Sequence, residues 1–174
     1  KKEVWMNRVG PGYFRTMGTP LLAGRDFNRH DNMSAPKVAI VNEVFARTFF
    51  NGSNPVGRTF RTEEPAGKPD LVFQIVGLVK NTKYSGLREE FRSIAFFPFN
   101  QDPEPTQACS FMVRTRGPAN EVMAAVRRVM DEVNSSLLVE FRFLDVEIQQ
   151  SLLRERLMAN LSGGFGLLAG FLSA

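Results

Sequence analysis

Apolar residues occur in short runs along much of the chain, and these runs have the lengths that are typical of β-strands. The clearest runs cover 37–41, 71–79 and 93–99, and weaker ones cover 3–9 and 57–61. The run at 71–79 is almost continuously apolar, which predicts a strand that is buried on both faces. The first part of the chain is therefore expected to contain many short strands.

Helical spacing of apolar residues is found in two longer segments. Asn42 is a good N-cap for a helix over 43–50, and 120–133 carries an apolar stripe with the 3.6-residue repeat of a helix. A third, short helix over 12–17 is predicted because Pro11 is suited to begin it.

The helix at 120–133 lies between two further apolar runs, 108–115 and 137–144, which we predict to be strands. Cys109 is the only cysteine and lies inside the first run, so it is expected to be a small core residue. A strand–helix–strand unit of this kind occurs in α/β and ferredoxin-like layers. With the earlier strands it predicts an α+β (mixed α/β) fold.

The C-terminal segment differs from the rest of the chain in its charge. Residues 146–160 are polar and amphipathic, whereas 161–174 contain no charged residue. A membrane span needs roughly 20 apolar residues, so this uncharged stretch is too short to cross a bilayer. We interpret 146–174 as a C-terminal helix that leads into a truncated transmembrane helix. A buried terminal helix or a frayed tail is the alternative.

Charge and aromatic content narrow the class of partner. The net charge is +4, from 22 basic and 18 acidic residues that are scattered among one another. Nucleic-acid-binding proteins usually concentrate Lys and Arg on one face, so no nucleic-acid partner is expected. The 16 Phe against 1 Trp and 2 Tyr favour aromatic packing in a core over a base-stacking surface.

Candidate catalytic groups are few. His30, the only histidine, precedes Asp31, but the chain has no Gly-x-Ser-x-Gly segment that would supply a nucleophile for such a pair. Asp26 and Asp31 could share a cation, yet they lack the Asp-x-Asp-x-Asp-Gly pattern of a cation-binding loop. We interpret His30 as a surface residue, and Arg25 with Asp26 as a local ion pair. The sequence thus predicts no catalytic, cofactor-binding or metal-binding residue, no cofactor, and no enzyme activity.

Three glycines are assigned structural roles. Gly24 and Gly57 lie where the chain must turn sharply. Gly77 interrupts the apolar run at 71–79, which suggests a β-bulge or a close approach of another backbone. A role in contacting a ligand is the less favoured interpretation for all three.

Six segments, taken in order, carry a resemblance to one family: VGPGYFRTMG at 9–18, LLAGRDF at 21–27, VAIVNE at 38–43, NPVGR at 54–58, IVGLVKN at 75–81 and SLLRERL at 151–157. They resemble the MacB-like periplasmic core domain of bacterial ABC-transporter permeases, which precedes an FtsX-like transmembrane region. The resemblance covers nearly the whole chain. The ordered series is far more specific than any single segment.

The resemblance implies a two-lobed periplasmic domain. Residues 1–18 and 108–145 would form a partial, porter-like lobe near the membrane, and 19–107 would form an inserted upper lobe. Residues 146–174 would lead into the second transmembrane helix. The domain would face the periplasm from the inner (plasma) membrane, to which transmembrane helices not included in this sequence would attach it.

The function that the resemblance implies is to couple cytosolic ATP hydrolysis to transport, such as efflux, or to mechanical work in the periplasm. The expected partners are a separate cytosolic ATPase subunit, a second copy of the full permease, and a periplasmic adaptor protein. A periplasmic module that binds a ligand or peptide, or senses one, is the alternative. An enzyme is the least favoured class because a set of nucleophile, base and orienting group is missing.

Overall fold

The computed structural model describes residues 3–63, 69–83, 89–104 and 108–144. In chain order its elements are β1 (Trp5–Val9), α1 (Tyr13–Met17), β2 (Leu21–Gly24), β3 (Val38–Asn42), α2 (Glu43–Phe50), β4 (Thr59–Thr62), β5 (Leu71–Val79), β6 (Ile94–Pro98), a 3-10 helix (Phe99–Gln101) and α3 (Ala119–Val133). Strands and helices are mixed along the chain, which confirms the predicted α+β fold class.

The described strands form one mixed sheet. Its order is β1-β6-β3-β5-β2, and β4 also pairs with β5. The β1–β6 and β3–β5 pairs are parallel, whereas β3–β6, β2–β5 and β4–β5 are antiparallel. β6, β3 and β5 are therefore the inner strands of the sheet. The strand predictions at 3–9, 37–41, 57–61, 71–79 and 93–99 are confirmed, while β2 was not predicted.

The core has one apolar cluster on each face of the sheet, because neighbouring residues of a strand point to opposite faces. Ile40 of β3 belongs to one cluster with Phe14 of α1. Val41, the next residue, belongs to the other with Phe45 of α2. Aromatic rings make up much of both clusters; Phe14 and Phe96 have ring centroids 5.0 Å apart, and the Phe73–Phe97 centroids are 4.6 Å apart. The phenylalanine-rich composition is thus used in packing.

The N-terminal half of β5 is less buried than the sequence predicted. Val72 is 47% exposed and Gln74 is also exposed, so this half is buried on one face only. Further along, Ile75 pairs with Ala39 while Gly77 pairs with Ile40. Val76 is therefore the extra residue of a β-bulge, which confirms the prediction made for Gly77.

Two of the three glycines are needed for their backbone geometry and for the closeness of their neighbours. Gly24 has φ 77°, and a Cβ atom built on it would lie 2.1 Å from the carbonyl oxygen of Val76. A Cβ on Gly77 would lie 2.6 Å from the carbonyl oxygen of Arg25. The two backbones approach closely at the bulge, and only residues without a side chain fit there. Gly57, with φ 87°, confirms the third predicted turn.

The chain divides into two compact units, Lys1–Arg114 and Thr115–Ala174, here named the sheet unit and the helix unit. In the helix unit α3 begins and ends close to the predicted bounds, but none of its residues is buried. The flanking strands predicted at 108–115 and 137–144 are wrong, because the structure has no strand at either place. Among the described residues neither run pairs with another strand, and an apolar run without such a partner does not form a ladder.

Two further predictions depend on these regions. Cys109 is exposed, so its assignment to the core is wrong; the strand that would have buried it is not formed. The predicted helix and membrane span of 146–174 lie outside the described residues. Among the helices within the described ranges, none combines the length and the apolar character that crossing a membrane requires.

The proposed lobes at 1–18 with 108–145 and at 19–107 remain a prediction. β1, from the first of these segments, pairs with β6, from the second, in a single sheet.

Candidate functional site

The loop between β2 and β3 is organised by a buried carboxylate. Arg25 donates two hydrogen bonds to Asp31, Nη1 to Oδ2 and Nη2 to Oδ1, each 2.7 Å long. The backbone N–H of Asn28 also donates to Asp31 Oδ2, at 2.9 Å. Only 5% of the Asp31 side chain is exposed, so three donors satisfy a carboxylate that water hardly reaches.

These contacts lower the pKa of Asp31 below its ordinary value. The largest cause is the hydrogen-bonded Arg25 guanidinium; burial acts in the opposite direction, and the Asn28 amide adds to the lowering. The pKa of Arg25 is raised, chiefly by the same hydrogen bonds. Both groups are therefore charged at neutral pH, and their pairing holds the loop against the end of β2.

The predicted ion pair between Arg25 and Asp26 is wrong, because the partner of Arg25 is Asp31. Arg25 Nη1 contacts only the backbone oxygen of Asp26, at 3.1 Å, and Asp26 Oδ1 instead accepts from the Phe27 N–H at 2.7 Å. Adjacent side chains in extended backbone point in opposite directions. The turn that follows then brings the more distant carboxylate back to Arg25.

The acid–base and cation groupings considered from the sequence are not assembled here. His30 is exposed, as predicted, and its Nδ1 lies 3.2 Å from Asn28 Oδ1; Asp31 is bound to Arg25 instead. Asp31 is likewise unavailable to share a cation with Asp26. Across the part of the chain that the structure describes, no group of three or more His, Cys, Asp and Glu residues is arranged to hold a metal ion.

The far end of the same loop is fixed by Gln101, which sequence reasoning missed. Its Nε2 donates to the carbonyl oxygens of Asn32 and Pro36, at 3.1 and 2.9 Å, and its Oε1 accepts from the Val38 N–H at 3.1 Å. Gln101 is only 6% exposed. The only signal in the sequence is an uncharged amide just after the apolar run at 93–99.

A cleft lies where this loop meets the start of α1. It has a volume of about 410 Å³, is open to solvent, and is lined by residues 11, 12, 15 and 26–29; we name it the α1 cleft. Its charged members are Arg15 and Arg29, which are exposed, and Asp26, which is half-buried. Its apolar member is Phe27, which belongs to the core.

A second polar cluster explains two of the ordered sequence segments. Asn42 is 1% exposed, and its Oδ1 accepts from the N–H groups of Phe45 and Ile94 at 3.0 and 3.1 Å. Its Nδ2 donates to the Arg92 carbonyl at 2.7 Å. Asn42 is thus the predicted N-cap of α2, and it also ties that helix to the start of β6.

Asn81 supplies a second contact at the same helix end. Its Oδ1 accepts from the Val44 N–H at 3.1 Å, while its own N–H donates to Glu43 Oε2 at 2.9 Å. The VAIVNE and IVGLVKN segments therefore meet in space, and their polar residues hold secondary structure together.

Comparison with known proteins agrees with this architecture. The family model of the MacB-like periplasmic core domain matches residues 1–129. The periplasmic region of MacB from Actinobacillus actinomycetemcomitans has 15% sequence identity and a TM-score of 0.52, with 74% of this chain and 56% of that chain covered. At this identity the likeness shows a shared fold. The chain spans little more than half the length of that structure.

Two other solved structures have lower TM-scores. A domain of a putative permease protein from Porphyromonas gingivalis has a TM-score of 0.44 at 16% identity, covering 70% of this chain and 56% of that one. The extracellular domain of the noncanonic ABC-type transporter YknZ from Gram-positive bacteria has a TM-score of 0.48 at 18% identity, covering 76% and 65%. No curated protein gives a significant match. Since the family model covers most of the chain, this protein belongs to the family of MacB-like periplasmic core domains.

Proposed function

We propose that this chain is the extracytoplasmic part of an ABC-transporter permease, which couples ATP hydrolysis in the cytosol to transport or to mechanical work in the periplasm. The observation that carries the proposal is the family match over 1–129. The chain would act through its shape and its contacts and would not perform chemistry itself.

The roles of the ordered sequence segments support a mechanical function. Gly24 and Gly77 allow two backbones to approach closely, and Asn42 and Asn81 fix the start of α2. The glycines let β2 pair closely with β5, and the two asparagines tie the start of α2 to other parts of the sheet unit, which favours a rigid body. A rigid body that rotates or tilts as a whole is a common means of transmitting a conformational change.

The exposed apolar residues of the helix unit support the proposal that the chain is part of a larger protein. α3 has an apolar stripe, yet Val129 is 53% exposed and Val133 is 73% exposed. Soluble single domains cover such a stripe with their own core. In the proposed permease, 1–18 and 108–145 would form the membrane-near lobe, 19–107 the upper lobe, and 146–174 the connection to the membrane. The partners would be a separate cytosolic ATPase, a second permease copy and a periplasmic adaptor.

The location can be tested with Cys109, which is exposed. Spheroplasts would be made from cells that produce the natural full-length protein, and would be treated with a membrane-impermeant maleimide. We expect this residue to be labelled before the cells are lysed, and the Cys109→Ser variant to lose that label. Labelling of Cys109 only after lysis would contradict the extracytoplasmic location.

The coupling needs a separate measurement. The full-length protein would be purified in detergent with its bound partners and reconstituted into liposomes. We expect an ATPase to co-purify, and we expect the labelling rate of Cys109 to change when ATP is added but not when a non-hydrolysable analogue is added. An unchanged rate in a complex that hydrolyses ATP would contradict the coupling and leave the location intact.

A further inference from the structure

Two of the residues that line the α1 cleft are arginines. Arg15 comes from α1 and Arg29 from the following loop, and both line the cleft. Within the described ranges neither forms an ion pair with a carboxylate, whereas nearby Arg25 is neutralised by Asp31. The cleft therefore presents two guanidinium groups that are available to an incoming anion.

The charges of the cleft favour a carboxylate over a phosphate. A guanidinium group presents its donors in a planar fork that matches the two oxygens of a carboxylate. Asp26 also lines the cleft, and its negative charge opposes a doubly charged phosphate more strongly than a single carboxylate. A peptide suits this mixture, since its acidic side chain would pair with Arg15 or Arg29 while a backbone N–H faces Asp26.

The shape of the cleft favours a segment of a larger partner. Its volume of about 410 Å³ lies within the range of small-ligand sites, but it is open to solvent. A free small molecule would remain largely exposed there and would gain little from burial. One or two side chains projecting from a partner protein would fill the same space while the rest of that partner makes contacts outside it.

The loop that carries Arg29 is already fixed in position. Asp31 binds Arg25 at one end, and Gln101 holds the backbone of Asn32 and Pro36 at the other. Binding would therefore require little additional ordering of the backbone, which favours affinity.

We infer that the α1 cleft binds an acidic segment of a partner protein, with Arg15 and Arg29 pairing with its carboxylates. This inference goes beyond the proposed transport function and does not depend on it, because the binding is a property of the cleft itself.

The test is a titration of the 174-residue chain into a fluorescently labelled peptide rich in glutamate, followed by fluorescence anisotropy at low ionic strength. We expect saturable binding that the Arg15→Gln/Arg29→Gln double variant weakens by at least about tenfold, since two charge-assisted contacts are removed. The matched control is Arg47→Gln/Arg61→Gln, which removes the same charge from exposed positions outside the cleft. It should change the affinity by no more than about twofold, as expected of distant charges that salt screens.

A charge-reversal variant tests whether the preference of the cleft can be inverted, and not only whether binding can be weakened. Arg29→Glu should weaken binding of the glutamate-rich peptide and strengthen binding of a lysine-rich peptide of the same length. Melting curves would verify that each variant is folded.

The inference is overturned if the glutamate peptide does not bind, or if both double variants lose binding equally. It is also overturned if inorganic phosphate, or vesicles containing phosphatidylglycerol, displace the labelled peptide at a lower concentration than the unlabelled glutamate-rich peptide does. In that case the ligand would be a phosphate or a lipid surface.

Discussion

The sheet unit and the helix unit contain apolar patterns of similar clarity, but they use them differently. In the sheet unit β3 and β6 are buried along their whole length, and α2 buries Phe45 and Ala46. In the helix unit α3 has a regular apolar stripe, but none of its residues is fully buried, and Val122, Val126 and Met130 are half-buried. A local pattern is therefore sufficient to form a helix, whereas burial depends on a partner surface that the pattern itself does not supply.

The largest expected effect on stability comes from a comparison of one buried residue of the sheet unit with one exposed residue of the helix unit. Ile75→Ala removes a fully buried side chain, and we expect a loss of about 3 to 5 kcal/mol in the free energy of unfolding. Val129→Ala, on the exposed stripe of α3, should change stability by no more than about 0.5 kcal/mol, because Ala is also the better helix former. Urea denaturation would be followed by Trp5 fluorescence for the sheet unit and by circular dichroism for the helices. A large loss from Val129→Ala would remove the contrast between the units.

The second prediction concerns the close backbone approach in the sheet unit. Gly24→Ala places a Cβ atom 2.1 Å from the Val76 carbonyl oxygen, so the β2–β5 pairing must open. We expect a loss of about 3 to 4 kcal/mol, from left-handed backbone strain together with overpacking. The matched control is Gly52→Ala, which has a similar φ of 75° but no atom within 4 Å of the added Cβ. It should lose only about 1 kcal/mol from the backbone alone. Equal losses in denaturant titrations would show that the close approach is unimportant.

Asn42→Ala tests the polar contact that joins α2 to β6. It leaves the Phe45 and Ile94 N–H groups and the Arg92 carbonyl without their partner, and we expect a loss of about 2 to 3 kcal/mol. Asn54→Ala is the control; Asn54 is exposed and accepts a single backbone hydrogen bond from Val56. It should cost less than about 1 kcal/mol. A similar loss from both variants would mean that Asn42 acts only as an ordinary cap.

The smallest expected effect is the pH dependence of the loop before β3. Because the pKa of Asp31 is lowered by Arg25, the stabilisation is present above the ordinary aspartate pKa and is lost as the pH falls through the lowered pKa. Asp31→Asn should cost about 1 to 2 kcal/mol at neutral pH, a discounted value because 45% of Arg25 is exposed to water.

The difference between wild type and Asp31→Asn should shrink as the pH falls from about 4, the ordinary aspartate pKa at which the unfolded chain takes up the proton, towards the lowered pKa of the folded Asp31. Asp70→Asn, at an exposed position, is the control and should show little difference at any pH. A difference between wild type and Asp31→Asn that stays constant down to pH 2 would contradict the assignment of the charged pair.

The strands and helices of the sheet unit were predictable because each satisfies its own pattern and also finds a partner. Asn42 capped α2 as expected, and Gly77 marked the bulge. β2 was missed because Leu21–Gly24 is short and ends at a glycine. It becomes a strand only through its pairing with β5, which no local pattern reveals.

The candidate site was less accessible to sequence reasoning than the fold. The α1 cleft combines Arg15 of α1 with Arg29 of a separate loop, and only the tertiary structure brings them together. The sequence predicted that Arg25 pairs with the adjacent Asp26. In the structure the loop turns back so that Asp31 reaches Arg25 instead. The strands predicted at 108–115 and 137–144 failed because an apolar sequence alone does not create the neighbouring strand that a ladder requires.

The central claim is that the sheet unit has a closed apolar core, whereas no residue of the α3 stripe is fully buried. Hydrogen exchange of the 174-residue chain, measured by mass spectrometry, tests it most directly. We predict strong protection of the amides in β3, β5 and β6, and rapid exchange throughout α3, since a helix of this length with no fully buried residue is only marginally stable in water. Protection of α3 equal to that of the central strands would contradict the claim.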